Sequence, residues 1–284
     1  MRIGKRKTSI LVLLSIIVAL VGLILLISNT WISVTEYSLS PVSVNGVRIV
    51  LISDLHGCEF GEDNQRLIEG IAEQEADMIC LAGDMFSEPS DMGQFLSLVT
   101  ELVKLAPTFI SYGNTEKAFE QQWGNYWVHD AERLGAIVLD ESFVDVEIGG
   151  QKLRVGGLFN YAFTGNEDTE RQVESDTFRF LDNFGRTNTF KILLCHRPDS
   201  FIFHEAYDDW KIDVLLCGHT HGGLVRLPFL GGLYVPDQGW FPQYDKGCFS
   251  LGEIKMVITS GLTGYGWIPR IMNPPEITLI CLGE

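Results

Sequence analysis

Ile10–Ile27 is an apolar run of 18 residues without a charge, and nothing later in the chain resembles it. At a rise of 1.5 Å per residue a helix of this length just crosses roughly 30 Å of hydrocarbon. Arg2, Lys5, Arg6 and Lys7 precede it, and no Lys or Arg follows until Arg48. That asymmetry assigns residues 1–9 to the cytoplasm, makes 10–28 one transmembrane signal anchor, and sends the rest of the chain outside. A cleaved signal peptide is the competing reading. The run is long for one, however, and Trp31 and Ile32 stand where small residues belong. A buried core helix fits less well, because the run is apolar on every side.

Residues 29–45, with Pro41 and small polar side chains, read as a linker, so the globular domain is expected over 46–284. Its pattern then alternates. Val47–Ser53 reads as a buried strand; Glu62–Gln74 carries Leu67, Ile68, Ile71 and Ala72 at helical spacing; Asp77–Gly83 is a second strand. Met92–Leu105 is an amphipathic helix through Phe95, Leu96, Val99, Leu102 and Val103, and Pro107–Gly113 is a third strand. Strand, helix, strand, helix, strand implies parallel pairing with helices on the sheet. In the second half, Phe143–Leu158 signals a hairpin turning at Gly149-Gly150. A helix is expected within Thr169–Phe184, and FKILLCH, IDVLLCGH, KMVITSG and EITLICL are four more strands. There is no internal repeat. The class is α/β.

Composition adds two constraints. The formal net charge is −16, and residues after the first 30 hold 17 basic against 37 acidic side chains, a balance of −20. Such a surface repels phosphate backbones, so nucleic acid is disfavoured as a partner. Six cysteines in 284 residues do not make a disulfide framework. Cys80, Cys195 and Cys217 lie in apolar strands, where a thiol acts as a small hydrophobe.

The chemistry sits at the strand ends. Asp54 and His56 follow the first strand, Asp84 the second and Asn114 the third; His196 follows KILLC, and His219 and His221 follow DVLLC. The carboxyl ends of parallel strands converge on one crevice. Singly, each residue is weak evidence: an Asp after a strand is usually a turn or cap, and a lone His is usually structural. Together they place four of six histidines at strand ends, three of them beside glycines. Imidazole and carboxylate suit Zn, Mn or Fe. Seven such groups exceed the needs of one tetrahedral ion and suit two ions about 3.5–4 Å apart. Alternation puts His219 and His221 on the same side of the chain, with Thr220 turned away.

These blocks, D-x-H, G-D, G-N, H and G-H-x-H in that order, resemble the calcineurin-like metallophosphoesterase superfamily over roughly residues 47–282. GHTHGGLVRLPFLG and NPPEITLICL are similar to its small bacterial, membrane-anchored or exported branch. The resemblance implies a four-layer α/β/β/α sandwich of two mixed sheets, two divalent ions and hydrolysis of phosphate esters. Carried over by position, Asp54, His56 and His221 hold one metal, Asn114, His196 and His219 the other, and Asp84 bridges them. A water between the two ions loses its proton near neutral pH and attacks phosphorus in line.

One position departs. The superfamily's third block usually reads G-N-H-[D/E], whereas here Gly113-Asn114 is followed by Thr115. The histidine normally stands over the phosphate and assists the leaving group. Thr115 offers one neutral hydrogen bond and no acid near pH 7. Losing general acid catalysis costs about 10²–10⁴-fold. Rescue by His129 or His204 is one answer, a good leaving group another, and drift toward binding without turnover a third.

Asp84, Asn114 and Thr115 are therefore the expected catalytic residues. The expected activity is that of a dimetal phosphodiesterase, anchored in the cell membrane with its domain outside, acting on a phosphodiester such as a lipid or envelope component. The competing class is a non-catalytic metal- or phosphate-binding protein. Arg197 and Arg226 flank ligand blocks and either steer phosphate or serve the surface. Trp240, Phe241, Tyr265 and Trp267 lie in Gly/Pro-rich loops and either line a groove, touch a bilayer or pack in the core.

Overall fold

A strand that is apolar at every position must be buried on both faces, and two stacked six-stranded sheets meet that demand. The computed structural model describes residues 2–41, 43–162, 175–264 and 268–283. The first sheet takes β1 (Ser33–Leu39), β2 (Val47–Ile52), β3 (Met78–Leu81), β4 (Thr108–Ser111) and β5 (Ile137–Leu139). The second takes β6 (Ser142–Ile148), β7 (Gln151–Leu158), β8 (Phe190–Cys195) and β9 (Val214–Cys217). Two small ribbons follow: β10 (Arg226–Leu227) with β11 (Gly231–Gly232), and β12 (Tyr234–Val235) with β13 (Gly239–Trp240). Then β14 (Gly247–Leu251) and β15 (Ile254–Ile258) return to the second sheet, and β16 (Glu276–Leu282) to the first.

The strand orders are β1-β16-β2-β3-β4-β5 and β14-β15-β9-β8-β7-β6. Both sheets are mixed. β2 to β5 run parallel, with β16 antiparallel to β2. β7, β8, β9 and β15 run parallel between antiparallel edges. Period two sorts the side chains. Ile49 and Leu51 meet Val155, Ile192, Leu194 and Leu216 between the sheets. Val50 and Ile52 face the other way, toward α2 (Gln65–Ala72) and α3 (Met92–Leu105) through Leu67, Ile71, Phe95, Val99 and Leu102. On the far side Leu193, Cys195 and Leu215 pack under Leu181 and Phe184 of the helix Ser175–Gly185. The layers are α/β/β/α.

The sequence pattern did not show β1, β5, β10 to β14 or the two helices between β4 and β5. Between β4 and β5 lie α4 (Asn114–Trp123) and α5 (Tyr126–Arg133). α4 starts at once because Glu116 reaches back to the Gly113 N–H at 2.8 Å, closing the helix end. Few of its residues are buried, so its apolar stripe is too short to read. In chain order the helix Ser175–Gly185 is α6, followed by the short α7 (Asp199–Ile202). Of the helix expected within 169–184, the first six residues fall outside the described residues, as do Tyr265 and Trp267.

The linker expectation is corrected. Within 29–45, β1 pairs in parallel with β16 along its whole length, from Ser33–Glu276 to Leu39–Leu282. An edge strand needs one hydrogen-bonded neighbour and one buried face, so its residues alternate between partly buried and exposed, and its polar positions read as linker. Upstream, α1 (Arg2–Thr30) is long and apolar enough over Val12–Thr30 to cross a membrane, and only 6% of its most apolar window is buried. Only Trp31 and Ile32 separate α1 from β1. The end of α1 is tied to the domain. The Asn29 side-chain amide donates to the Arg270 carbonyl (3.0 Å) and accepts from the Arg270 N–H (3.1 Å), the Ser28 hydroxyl accepts from the Met272 N–H at 2.8 Å, and Arg66 donates to the Thr30 carbonyl at 2.6 Å.

Candidate metal centre

The parallel strands of both sheets deliver their carboxyl ends to one edge. Asp54 and His56 leave β2, Asp84 leaves β3, Asn114 leaves β4, His196 leaves β8, and His219 and His221 leave β9. The backbones interlock there: Asp54 N–H bonds Gly83 O (3.1 Å), His56 N–H bonds Asp84 O (3.0 Å) and Gly218 N–H bonds His196 O (3.0 Å). The fit leaves no room at Gly218, where a Cβ would lie 2.0 Å from Ser53 Oγ and 2.8 Å from Asp54 Oδ2. Gly113 is equally constrained, its missing Cβ falling 2.3 Å from Asp84 Oδ1. Asp54, His56, Asp84, His219 and His221 all have φ between 48° and 70°. Left-handed backbone at five such positions is strain held by the surrounding structure, as functional sites commonly show.

Four donor atoms point inward and, among the described residues, have no hydrogen-bond partner: Asp54 Oδ1, His56 Nε2, Asn114 Oδ1 and His196 Nε2. Buried polar atoms are normally paired, so four orphans at one spot call for an occupant. Their spacings fit a metal. His196 Nε2 is 3.3 Å from Asp84 Oδ2 and 3.9 Å from Asp54 Oδ1; His221 Nε2 is 3.6 Å from Asp54 Oδ1; His56 Nε2 is 3.7 Å from Asp84 Oδ2. Two ligands on one transition ion, each about 2.0–2.2 Å from it, lie about 3.0–3.6 Å apart. Asp54–His56–His221 and Asp54–Asp84–His196 form two groups of convergent donors. Asp84 Oδ2 faces a histidine of each set, and Asp54 Oδ1 does the same, so both carboxylates reach across the centre.

The imidazoles are oriented for ligation. His196 Nδ1 sits 2.7 Å from Ala82 O, and His221 Nδ1 2.9 Å from Thr263 O. A carbonyl can only accept, so each Nδ1 carries a proton and Nε2 is the nitrogen left to face the centre. Burial opposes the charged form of His196, but Asp84 and Asp54 outweigh it and lift its pKa to about 9. Burial also pushes His221 down, beyond what Asp54 restores. Burial would raise Asp54 and Asp84, yet the histidines around them hold both below the usual carboxylate range.

His219 and Asn114 stand together, with Asn114 Nδ2 3.5 Å from His219 Nδ1. His219 lies outside the two tight groups of acidic and imidazole donors and groups instead with Asp199 and Asp237. Its Nε2 is 2.8 Å from Asp237 Oδ2, which leaves Nδ1 as the inward nitrogen. Asp237 and Asp199 were missed in the sequence. Asp237 lies in a Gly/Pro loop with no spacing relation to any ligand, and Asp199 reads as a helix start after Pro198. Burial and the Asp237 charge push Asp199 up to about 6, while the His219 bond holds Asp237 low.

Thr115 does not face outward over the centre. Its N–H (2.8 Å) and its hydroxyl (3.2 Å) both donate to Asp84 Oδ1 and fix that carboxylate. Glu116 accepts from the N–H groups of Asp84, Met85 and Gly113 (2.7–2.8 Å), stapling the β3 and β4 loops together. Burial and Asp84 lift Glu116 to about 7 against those three donors. The convergent groups among the described residues include neither His129, exposed on α5 beside Glu132, nor His204. Arg226 braces Asp245 and Gly222 O (both 2.9 Å). Arg197 lies 4.5 Å over the Tyr161 ring and 3.4 Å from Asp237. Trp240 and Phe241 are exposed.

A family model, calcineurin-like phosphoesterase, matches residues 47–223. Metallophosphoesterase YkuE of Bacillus subtilis is 29% identical over 256 residues, covering 86% of this chain and 82% of that protein. Phosphodiesterase YaeI of Escherichia coli is 26% identical over 239 residues, covering 82% and 81%. A transmembrane protein with metallophosphoesterase domain from Danio rerio is 28% identical over 261 residues, covering 86% and 55%.

Proposed function

Because the chain belongs to the calcineurin-like phosphoesterase family, we propose that it hydrolyses phosphodiesters at two divalent ions. Asp54, His56 and His221 would hold one, Asn114, His196 and His219 the other, with Asp84 between them. The observation that carries this reading is the convergence of three buried, partnerless donor atoms, Asp54 Oδ1, His56 Nε2 and His196 Nε2, with Asp84 and His221 at spacings that fit a transition ion. When bound, such ions acidify a shared water and neutralise phosphate oxygens. The chain's own residues do the rest. Ala82 O, Thr263 O and Asp237 set which imidazole nitrogen faces inward; Thr115 and Glu116 hold Asp84 and its loop. Imidazole and carboxylate together suit Mn, Fe or Zn. The name of the Escherichia coli relative supports a diester over a monoester.

α1 is read as a single-pass anchor in the cell membrane, with the basic end in the cytoplasm and the domain outside. The basic flank, the exposed apolar helix and the Danio rerio relative support it. A lipid or envelope phosphodiester is then the expected substrate, and the balance of −20 beyond residue 30 argues against nucleic acid. The test is hydrolysis of an aryl phosphodiester by the full chain with added Mn²⁺, beside Asp84→Asn. Metal-dependent turnover abolished by the variant supports the reading; metal uptake without turnover on any ester refutes it. That second outcome would favour a metal- or phosphate-binding protein, a reading supported by the Thr115 hydroxyl being engaged with Asp84.

A further inference from the structure

Phe229 and Leu230, at the turn between β10 and β11, have side chains wholly or largely in solvent, with 107% and 63% exposure. Trp240 (69%) and Phe241 (55%) do the same on the next ribbon. Scattered apolar side chains on a surface need no explanation, but a contiguous group does. The segments that carry these residues are tied together through the backbone. Arg226 N–H bonds Ile271 O (2.9 Å), Ile271 N–H bonds Leu224 O (3.1 Å), Leu233 N–H bonds Val225 O (2.8 Å) and Phe241 N–H bonds Leu233 O (2.9 Å). The same chain of bonds continues to α1, through Met272 to Ser28 and Arg270 to Asn29.

Charge is withheld from the same region. Residues 227–241 and 261–275 contain one ionisable charge each, Asp237 and Arg270. The chain's 20% charged composition would place about six in thirty positions. Asp237 is bonded to His219, and Arg270 is 1% exposed with its guanidinium spent on the carbonyls of Ser260, Thr263, Asn273 and Pro274. An acidic domain therefore presents a charge-poor, aromatic-rich face beside the end of its apolar helix, where the partly exposed Arg226 and Asp237 are each engaged in an ion pair. Aromatic and aliphatic residues at such a place suit the boundary between headgroups and acyl chains.

We infer that the β10–β11 turn, with Trp240 and Phe241, is a second membrane contact of this chain, resting in the interfacial layer of the bilayer that holds α1. The inference rests on the reading of α1 as an anchor. Leu224 to Arg226 follow the ligand His221 directly, so this seating brings the mouth of the metal centre to headgroup level. Phosphate esters of membrane amphiphiles are the substrates such a mouth would meet.

The test uses the full chain in phosphatidylcholine–phosphatidylglycerol vesicles. Cys58→Ser and Cys248→Ser remove the two exposed thiols; the other four cysteines are buried, and burial pushes the Cys195 thiol up to about 12, which keeps it unreactive. Phe229→Cys, and separately Trp240→Cys, then carry an environment-sensitive fluorophore, with Lys152→Cys on the exposed β7 surface as reference. The expected result is quenching by nitroxide-bearing lipids several-fold stronger at 229 and 240 than at 152, with blue-shifted emission. Chains that float with vesicles but show equal quenching at all three positions would overturn the inference and leave the anchor standing. A label at 229 protected only as chain concentration rises would assign the face to a second copy, and overturn it too. Chains that do not float with vesicles would remove the anchor and the inference together.

Discussion

Asp237 is the residue whose importance is least visible in the sequence, and Asp237→Asn is the sharpest perturbation of the centre. Its Oδ2 accepts from His219 Nε2 at 2.8 Å, which fixes the tautomer that turns Nδ1 inward beside Asn114. Its Oδ1 faces Arg197 at 3.4 Å. An asparagine cannot serve both. With its oxygen toward His219, its NH₂ meets the guanidinium, donor against donor; flipped, its NH₂ meets Nε2 and forces the proton onto Nδ1, where a metal should bind. Loss of such an outer partner typically costs 10–100-fold in metal affinity, about 1.4–2.8 kcal/mol. The assay is Mn²⁺ titration calorimetry on the full chain in detergent, with thermal unfolding of the metal-free form as the check on folding. Arg197→Gln is the control: it releases the same carboxylate from its cation but leaves the His219 bond, so affinity should change little. Metal affinity within twofold of the parent for Asp237→Asn, or equal losses for both variants, would refute the argument.

Thr115→His should raise turnover more on a phosphodiester with a poor leaving group than on an activated aryl ester, because the histidine adds an acid that Thr115 lacks; no differential gain in steady-state assays argues against an acid role at this position. For the pH response, His196 has a pKa lifted from 6.5 to about 9 in the metal-free fold. Its contribution to metal-free stability is complete below pH 6.5 and is lost as pH rises through about 9, while the metal needs it neutral. The increment in melting temperature given by Mn²⁺ should therefore grow from pH 6.5 to 9, as measured by differential scanning fluorimetry. An increment independent of pH would exclude His196 as the proton displaced.

What the sequence made legible was decided by where burial is complete. β3 and β9 are apolar throughout, and β2 and β8 apolar but for Arg48 and Lys191, because both faces are covered, so their ends, and the polar residues just beyond, could be located by reading alone. Asp54, Asp84, His196 and His221 come together at that edge by topology. β1 was hidden by its polar outer face, and α4 and α5 by short apolar stripes. Asp237 and Glu116 act through single hydrogen bonds made across the fold, Glu116 to the β3 loop 31 and 32 residues back and Asp237 to His219, and no local periodicity reports such bonds. Thr115 was placed near the centre by its neighbours, but only the folded chain turns its hydroxyl onto Asp84 rather than toward a substrate.

Two residues between α1 and β1 leave the chain no leash. Asn29 clasps Arg270, whose guanidinium grips Thr263 O, the carbonyl that also orients His221. With α1 seated in a bilayer as proposed, the membrane plane would set the altitude and bearing of the pocket, and targets would be met by lateral drift rather than by swinging. Shedding the domain is correspondingly hard: a protease working at Trp31–Ile32 would first have to peel β1 from β16.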